Sequence, residues 1–108
     1  MECRKFPRFE VDAPLQISVV GDFVTHAGRI ADVSKRGLRF TSDVSFPVGE
    51  VLRFDLADHL LVGAVRYSVR DQNGFTAGIE LLNAISKPEF DSLIEELRPE
   101  FGAGLFRS

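Results

Sequence analysis

The chain has 108 residues, a single cysteine and a formal net charge of −3. This length fits one domain with one hydrophobic core, and the lone cysteine excludes an intrachain disulfide framework. The excess of acidic over basic residues is opposite to that of a general nucleic-acid binder. Its apolar runs are far shorter than the ~20 residues of a membrane-spanning helix, and Met1–Lys5 lacks the apolar segment of a secretory signal, so we expect a cytoplasmic protein without membrane insertion.

The first predicted element is a strand. Apolar residues occupy every odd position from Phe9 to Val19, which is typical of a half-buried strand. Pro14 lies inside this segment and cannot donate a hydrogen bond to a neighbouring strand, so it predicts an edge strand or a bulge near the middle. Gly21 and Asp22 then predict a turn.

Five further strands are predicted downstream. The segments are Phe23–Ala31, Leu38–Thr41, Val51–Leu56, Leu60–Arg70 and Phe75–Leu82. The stretch Ser42–Glu50 contains Pro47 and Gly49 and predicts a loop, whereas the Asn-Gly pair within Asp71–Gly74 predicts a hairpin turn. Ten of the eleven aromatic residues are phenylalanines, which favours aromatic rings in the core over an exposed stacking surface.

The spacing of apolar residues changes from strand-like alternation to a helical repeat at Ser86–Glu89. This segment has the Ser-x-x-Glu form of a helix capping box. The spacing predicts a helix over residues 86–101, with one apolar stripe formed by Phe90, Leu93, Ile94, Leu97 and Phe101. Short strands followed by one terminal helix indicate a mainly β fold, a small antiparallel barrel or a curled sheet that the helix covers.

The first candidate functional motif is Arg4-Lys5-Phe6-Pro7-Arg8. Pro7 disfavours a helical conformation for Phe6, so we expect an extended arm in which Arg4 and Arg8 face the same side. Taken alone, these residues fit solvated charges at a frayed terminus better than a binding site.

The second motif joins two predicted strands at Asp32-Val33-Ser34-Lys35-Arg36-Gly37. It combines a carboxylate, a hydroxyl, two cations and a glycine that permits positive φ or close backbone approach. By itself this pattern also fits a turn stabilised by Ser or Asp.

Together, the two motifs resemble those of the PilZ domain family, which carries Arg-x-x-x-Arg near its start and Asp/Asn-x-Ser-x-x-Gly about a strand pair later. The resemblance extends over nearly the whole chain, through Phe46–Gly49, Gly63–Val65 and Gly78–Leu81. Tyr67 and Leu81 depart from the Trp and Phe that are common at these positions in the family. Neither departure touches the two motifs.

The resemblance implies a six-stranded antiparallel β-barrel with a C-terminal α-helix. It implies one domain over residues 1–108, with an arginine-bearing arm at 1–8, the barrel at 9–82 and the helix at 86–101. The implied ligand is the bacterial second messenger cyclic di-GMP. The ligand-binding residues that the two family motifs imply are Arg4, Arg8, Asp32, Ser34 and Gly37. Local positive charge adds Lys5 and Arg36 to the predicted site.

The chemistry of these residue types agrees with that ligand. A guanidinium group can bond guanine O6 and N7 together, grip a phosphate, or stack on a base. The carboxylate of Asp32 suits the guanine edge that carries N–H donors, and Ser34 can supply a hydroxyl. Arg36 contributes positive charge, either as a direct ligand or to the general field.

The resulting prediction is a receptor without enzymatic activity, catalytic residues, cofactor or metal. We expect its arm to be flexible when empty and to become ordered on binding, which changes the surface offered to a downstream protein. One alternative is a PilZ-fold interaction adaptor that does not use the nucleotide. Another is a barrel that binds single-stranded nucleic acid, but the sequence lacks the aromatic platform and the broad basic groove of that class.

Overall fold

A computed structural model describes residues 8–72 and 74–97. Six strands form a closed barrel in the order β1, β2, β3, β6, β5, β4, and every neighbouring pair is antiparallel. The elements are β1 (Phe9–Val19), β2 (His26–Val33), β3 (Gly37–Ser42), β4 (Val51–Leu56), β5 (His59–Asp71), β6 (Gly74–Leu81) and α1 (Lys87–Leu97). The predicted fold class is therefore confirmed.

The second strand differs from its prediction at both ends. It begins at His26 because the Asp22 carboxylate accepts a hydrogen bond from the Val24 amide at 3.3 Å, a local turn that keeps the preceding residues out of the ladder. It continues to Val33, so Asp32 is a strand residue and not a loop residue.

Pro14 lies beside a bulge in β1. The pairing of β1 with β2 shifts register between Glu10 and Ala13, and β4 pairs with β1 only from Gln16 to Val19. The prediction of a bulge is confirmed. The prediction of an edge holds for the first half of β1, which contains Pro14 and has no partner in β4, whereas β4 closes the barrel along the second half.

The barrel interior is filled by apolar side chains. The largest fully buried ones include Phe40, Phe54, Leu15, Ile17, Ile30 and Leu38. The ring centroid of Phe40 lies 5.4 Å from that of Phe54 and 6.2 Å from that of Phe46, in tilted and edge arrangements that aromatic pairs favour. Phe23 is an exception to the prediction that the phenylalanines form the core, because it is fully exposed in the β1–β2 loop.

The helix begins where the capping box predicts. The Ser86 hydroxyl accepts a hydrogen bond from the Glu89 amide at 3.4 Å, and Phe90, Leu93 and Leu97 of α1 are buried. The remainder of the predicted helix, residues 98–101, lies outside the described residues. Within the described part, no helix is long and apolar enough to cross a membrane.

The helix covers the barrel end that carries the β2–β3 loop and the β4–β5 turn. The Ile85 amide donates to the Lys35 carbonyl at 2.8 Å, which fixes the segment before α1 to the β2–β3 loop. The His59 ring lies between Glu89 and Glu96 of α1, with Nε2 3.3 Å from Glu96 Oε2. The helix and the second motif are therefore held at the same end of the barrel.

Candidate functional site

The two motifs found in the sequence meet at an ion pair. Arg8 Nη1 donates to Asp32 Oδ1 at 2.6 Å, although the residues are 24 positions apart in sequence. Arg8 directly precedes β1, and Glu10 of β1 pairs with Asp32 of β2, so the antiparallel pairing of these strands brings the motifs together. Arg4 and Lys5, the other predicted residues of the arm, lie outside the described residues.

Asp32 belongs to a row of residues that crosses five neighbouring strands. Consecutive partners in the strand registers are Glu10 (β1), Asp32 (β2), Arg39 (β3), Gly78 (β6) and Tyr67 (β5). A cavity of 340 Å³ lies along this row and is lined by Arg8, Glu10, Asp32, Arg39 and Tyr67. A second cavity of 350 Å³ extends from it over β1, β2 and β3 and shares Glu10 and Arg39 with the first.

Asp32 is the buried charge of the site. The residue is only 3% exposed, and its two carboxylate oxygens contact two different guanidinium groups, Oδ1 that of Arg8 and Oδ2 that of Arg39, each at 2.6 Å. A buried carboxylate is tolerated only when it is paired, and the two arginines provide this pairing. The four charged residues that line the 340 Å³ cavity, two basic and two acidic, are balanced in charge.

Ser34 stabilises the loop that follows Asp32. Its hydroxyl donates to the Gly37 carbonyl at 3.4 Å and accepts from the Arg36 amide at 3.3 Å. This is the local turn that the motif alone already allowed. Arg36 is exposed in the same loop, and its carbonyl accepts a hydrogen bond from the Leu81 amide.

Gly37 allows close packing of two strands. A Cβ at this position would lie 2.5 Å from the Ile79 carbonyl oxygen of β6, which is closer than real Cβ contacts. Within the part of the chain that the structure describes, Ser34, Arg36 and Gly37 follow the lining residue Asp32 in sequence but do not themselves line the 340 Å³ cavity.

Sequence reasoning missed three residues that line the 340 Å³ cavity: Glu10, Arg39 and Tyr67. Alternation does place Arg39 on the outer surface, between the buried Leu38 and Phe40. Its position opposite Asp32, however, depends on a register shift between Ile30 and Asp32, and no sequence signal predicted this bulge.

The described residues contain no group of three or more His, Cys, Asp or Glu side chains that could hold a metal ion. Each histidine has a packing role: His59 lies against the helix, and the His26 ring meets that of Phe46 edge-on at 5.6 Å.

Comparison with solved structures places the barrel among known folds. The motility inhibitor MotI (DgrA) of Bacillus subtilis superposes with a TM-score of 0.65 and 15% identity, covering 94% of this chain and 53% of MotI, so this chain spans about half the length of that protein. The PilZ domain of YcgR from Escherichia coli, solved with c-di-GMP, gives a TM-score of 0.57 and 15% identity, covering 99% of this chain and 100% of that domain. At this identity the likeness concerns the fold.

No curated protein matches the sequence. The family is shown instead by a direct sequence match, because residues 2–98 fit the profile of the PilZ domain. This match includes both motifs and all seven elements of the structure. The chain therefore belongs to the PilZ domain family.

Proposed function

We propose that this chain is a receptor for cyclic di-GMP, which binds on the outer surface of β1, β2 and β3 and on the arm that precedes β1. The observation that carries the proposal is the contact between Arg8 and Asp32, one residue from each family motif, at the edge of a single cavity. If the motifs faced opposite sides of the barrel, one small ligand could not use both.

The described site needs additional positive charge for a doubly anionic ligand. Because its lining residues balance in charge, the excess would come from Arg4 and Lys5 of the arm and from Arg36 of the β2–β3 loop. In this proposal Arg4 and Arg8 bind guanine edges and phosphates through charge-assisted hydrogen bonds.

Asp32, Ser34 and Gly37 complete the proposed site. Asp32 accepts hydrogen bonds from guanine N–H groups, Ser34 offers its hydroxyl, and Gly37 lets the loop backbone approach the ligand. A related fold supports this choice of ligand, since the YcgR PilZ domain was solved with c-di-GMP. No step of this binding requires catalysis, a cofactor or a metal.

The proposed output is a change in the surface offered to a partner protein. Nucleotide binding orders the arm, and the arm leads through Arg8 into Phe9, whose ring contacts Phe90 of α1. Ordering of the arm therefore reaches both the barrel surface and the helix. MotI, which has the same fold, is named as an inhibitor of motility, which fits action on a protein partner.

Titration calorimetry with cyclic di-GMP tests the proposal. The Arg8→Ala variant loses charge-assisted hydrogen bonds worth about 1.5–3 kcal/mol, so its affinity should fall roughly tenfold to hundredfold. Arg53→Ala is the matched control, because Arg53 is an exposed arginine of β4 that pairs with Asp55. Equal affinity of wild type and Arg8→Ala would contradict the assigned site, and absence of binding by the wild type would favour the adaptor alternative.

A further inference from the structure

We infer that Arg39 is a positioning residue of the nucleotide site, which keeps the buried Asp32 carboxylate paired while Arg8 leaves Asp32 to bind the nucleotide. This inference rests on the proposed function and adds to it a residue outside both family motifs. It assigns different roles to two arginines that contact the same carboxylate.

The two arginines hold separate oxygens of one carboxylate. Arg8 Nη1 lies 2.6 Å from Asp32 Oδ1, and Arg39 Nη2 lies 2.6 Å from Asp32 Oδ2. The Asp32 side chain is 4% exposed, so the two guanidinium groups and not bulk water neutralise its charge. Either arginine can therefore depart without leaving the carboxylate unpaired, provided that the other remains.

The backbone decides which arginine remains. Arg39 lies within β3 and is paired on both sides, with Asp32 of β2 and with Gly78 of β6. Arg8 lies outside the ladder, immediately before the first residue of β1. Arg39 is therefore fixed at its α-carbon by two neighbouring strands, whereas Arg8 can turn with little disturbance of the barrel.

A second acidic residue increases the need for a fixed cation. Glu10 pairs directly with Asp32 across β1 and β2 and lines the same cavity. Like charges that face each other on adjacent strands repel, and Arg39 lines both cavities that Glu10 lines. If Arg8 turned away in a protein that lacked Arg39, the carboxylates of Glu10 and Asp32 would face each other, and no cation held within a neighbouring strand would separate them.

The departure of Arg8 also allows Asp32 to bind the nucleotide. When Arg8 departs, Oδ1 becomes available to accept a hydrogen bond from a guanine N–H group, while Arg39 still neutralises the charge at Oδ2. Loss of Arg39 should hold Arg8 on Asp32 and weaken binding indirectly. A direct contact between Arg39 and the nucleotide would weaken binding by a different route, which a mutant cycle can separate.

The test is a double-mutant cycle measured by calorimetry with cyclic di-GMP, using wild type, Arg39→Gln, Asp32→Asn and the double variant. We expect Arg39→Gln to lower affinity by at least about tenfold in the wild-type background. Since the neutral side-chain amide introduced by Asp32→Asn does not require a cation, the same change should alter affinity by no more than about twofold in that background. Arg39→Lys, which keeps the charge, should recover part of the loss.

An equal loss in both backgrounds would overturn the inference in favour of direct contact, and no loss in the wild-type background would overturn it outright. Circular dichroism confirms that each variant is folded. A wild type that does not bind refutes the proposed function itself, which is a separate outcome.

A measurement on the wild-type protein decides the matter if Asp32→Asn binds too weakly to titrate. The guanidinium N–H signals of Arg8 and Arg39 can be assigned by NMR from Arg8→Ala and Arg39→Lys. On saturation with cyclic di-GMP, the guanidinium signal of Arg8 should shift by much more than that of Arg39, because Arg39 keeps its ion pair with Asp32. A shift of the Arg39 signal as large as that of Arg8 would overturn the inference.

Discussion

The ring of Tyr67 lies against the α-carbon of Gly78. A Cβ built on Gly78 would stand 2.5 Å from Tyr67 Cζ and closer still to Cε2, so a side chain at position 78 and the present ring position exclude each other. Tyr67 lines the proposed nucleotide cavity, and a register shift between Val65 and Tyr67 in β5 places it opposite Gly78. The absence of a side chain at Gly78 thus sets the position of an aromatic ring at the site.

Gly78→Ala should displace the Tyr67 ring while leaving the barrel intact. The atoms that collide belong to the outer part of a side chain that is 42% exposed, so the ring can turn toward solvent. We expect the free energy of unfolding to change by less than about 1 kcal/mol, and the tyrosine emission of the nucleotide-free protein to change. Urea unfolding together with fluorescence checks both. A large loss of stability with unchanged emission would contradict this relationship.

Gly37→Ala makes the same chemical change at another buried strand glycine and should lower the free energy of unfolding. Its Cβ would meet the Ile79 carbonyl oxygen at 2.5 Å, and this backbone atom belongs to the β3–β6 ladder. Overpacking of this kind costs about 1–3 kcal/mol of unfolding free energy. Gly78→Ala is the matched control in the same urea experiment, and equal stability of the two variants would refute the explanation.

Tyrosine emission should report nucleotide binding directly. Tyr67 is the only tyrosine and the chain has no tryptophan, so all intrinsic fluorescence above the phenylalanine signal arises at the proposed site. We expect cyclic di-GMP to change this emission in a saturable way, because aromatic residues in such a cavity stack with bases. Free tyrosine amide with the same nucleotide corrects for absorbance. Unchanged emission at concentrations where calorimetry shows saturation would place the ligand away from Tyr67.

Phe90→Ala should destabilise the protein strongly. Phe90 is 6% exposed, and its ring lies 5.6 Å from that of Phe9 at the start of β1. Removal of a buried phenylalanine ring costs about 3–5 kcal/mol. The control is Phe23→Ala, whose fully exposed ring should contribute less than about 0.5 kcal/mol. Chemical denaturation measures both, and similar losses for the two variants would disprove the assignment of Phe90 to the core.

The sequence predicted those parts of the fold that depend on local pattern. Alternation of apolar and polar residues gave β1 its observed bounds, the Asn-Gly pair predicted the hairpin in which Asp71 pairs with Gly74, and Ser86 marked the start of the helix. Each of these features is decided by residues within a few positions of one another. Local chemistry and the final fold agree in these places.

The sequence did not predict how residues align across strands. Arg39 and Tyr67 reach the site through register shifts in β2 and β5, which arise from packing between strands that are distant in sequence. Phe23 fits a strand pattern as well as a loop, and the turn at Asp22 decided between them. The contributions of Arg4 and Lys5 remain predictions, since both residues lie outside the described part of the chain.

The most direct test of the account is mapping of amide chemical shifts by NMR while cyclic di-GMP is titrated into the 108-residue chain. The account predicts saturable shifts along the row formed by Glu10, Asp32, Arg39, Gly78 and Tyr67, with β4, the strand that the row does not cross, largely unaffected. Absence of shifts, or shifts concentrated on β4 and the 43–50 loop, would contradict it.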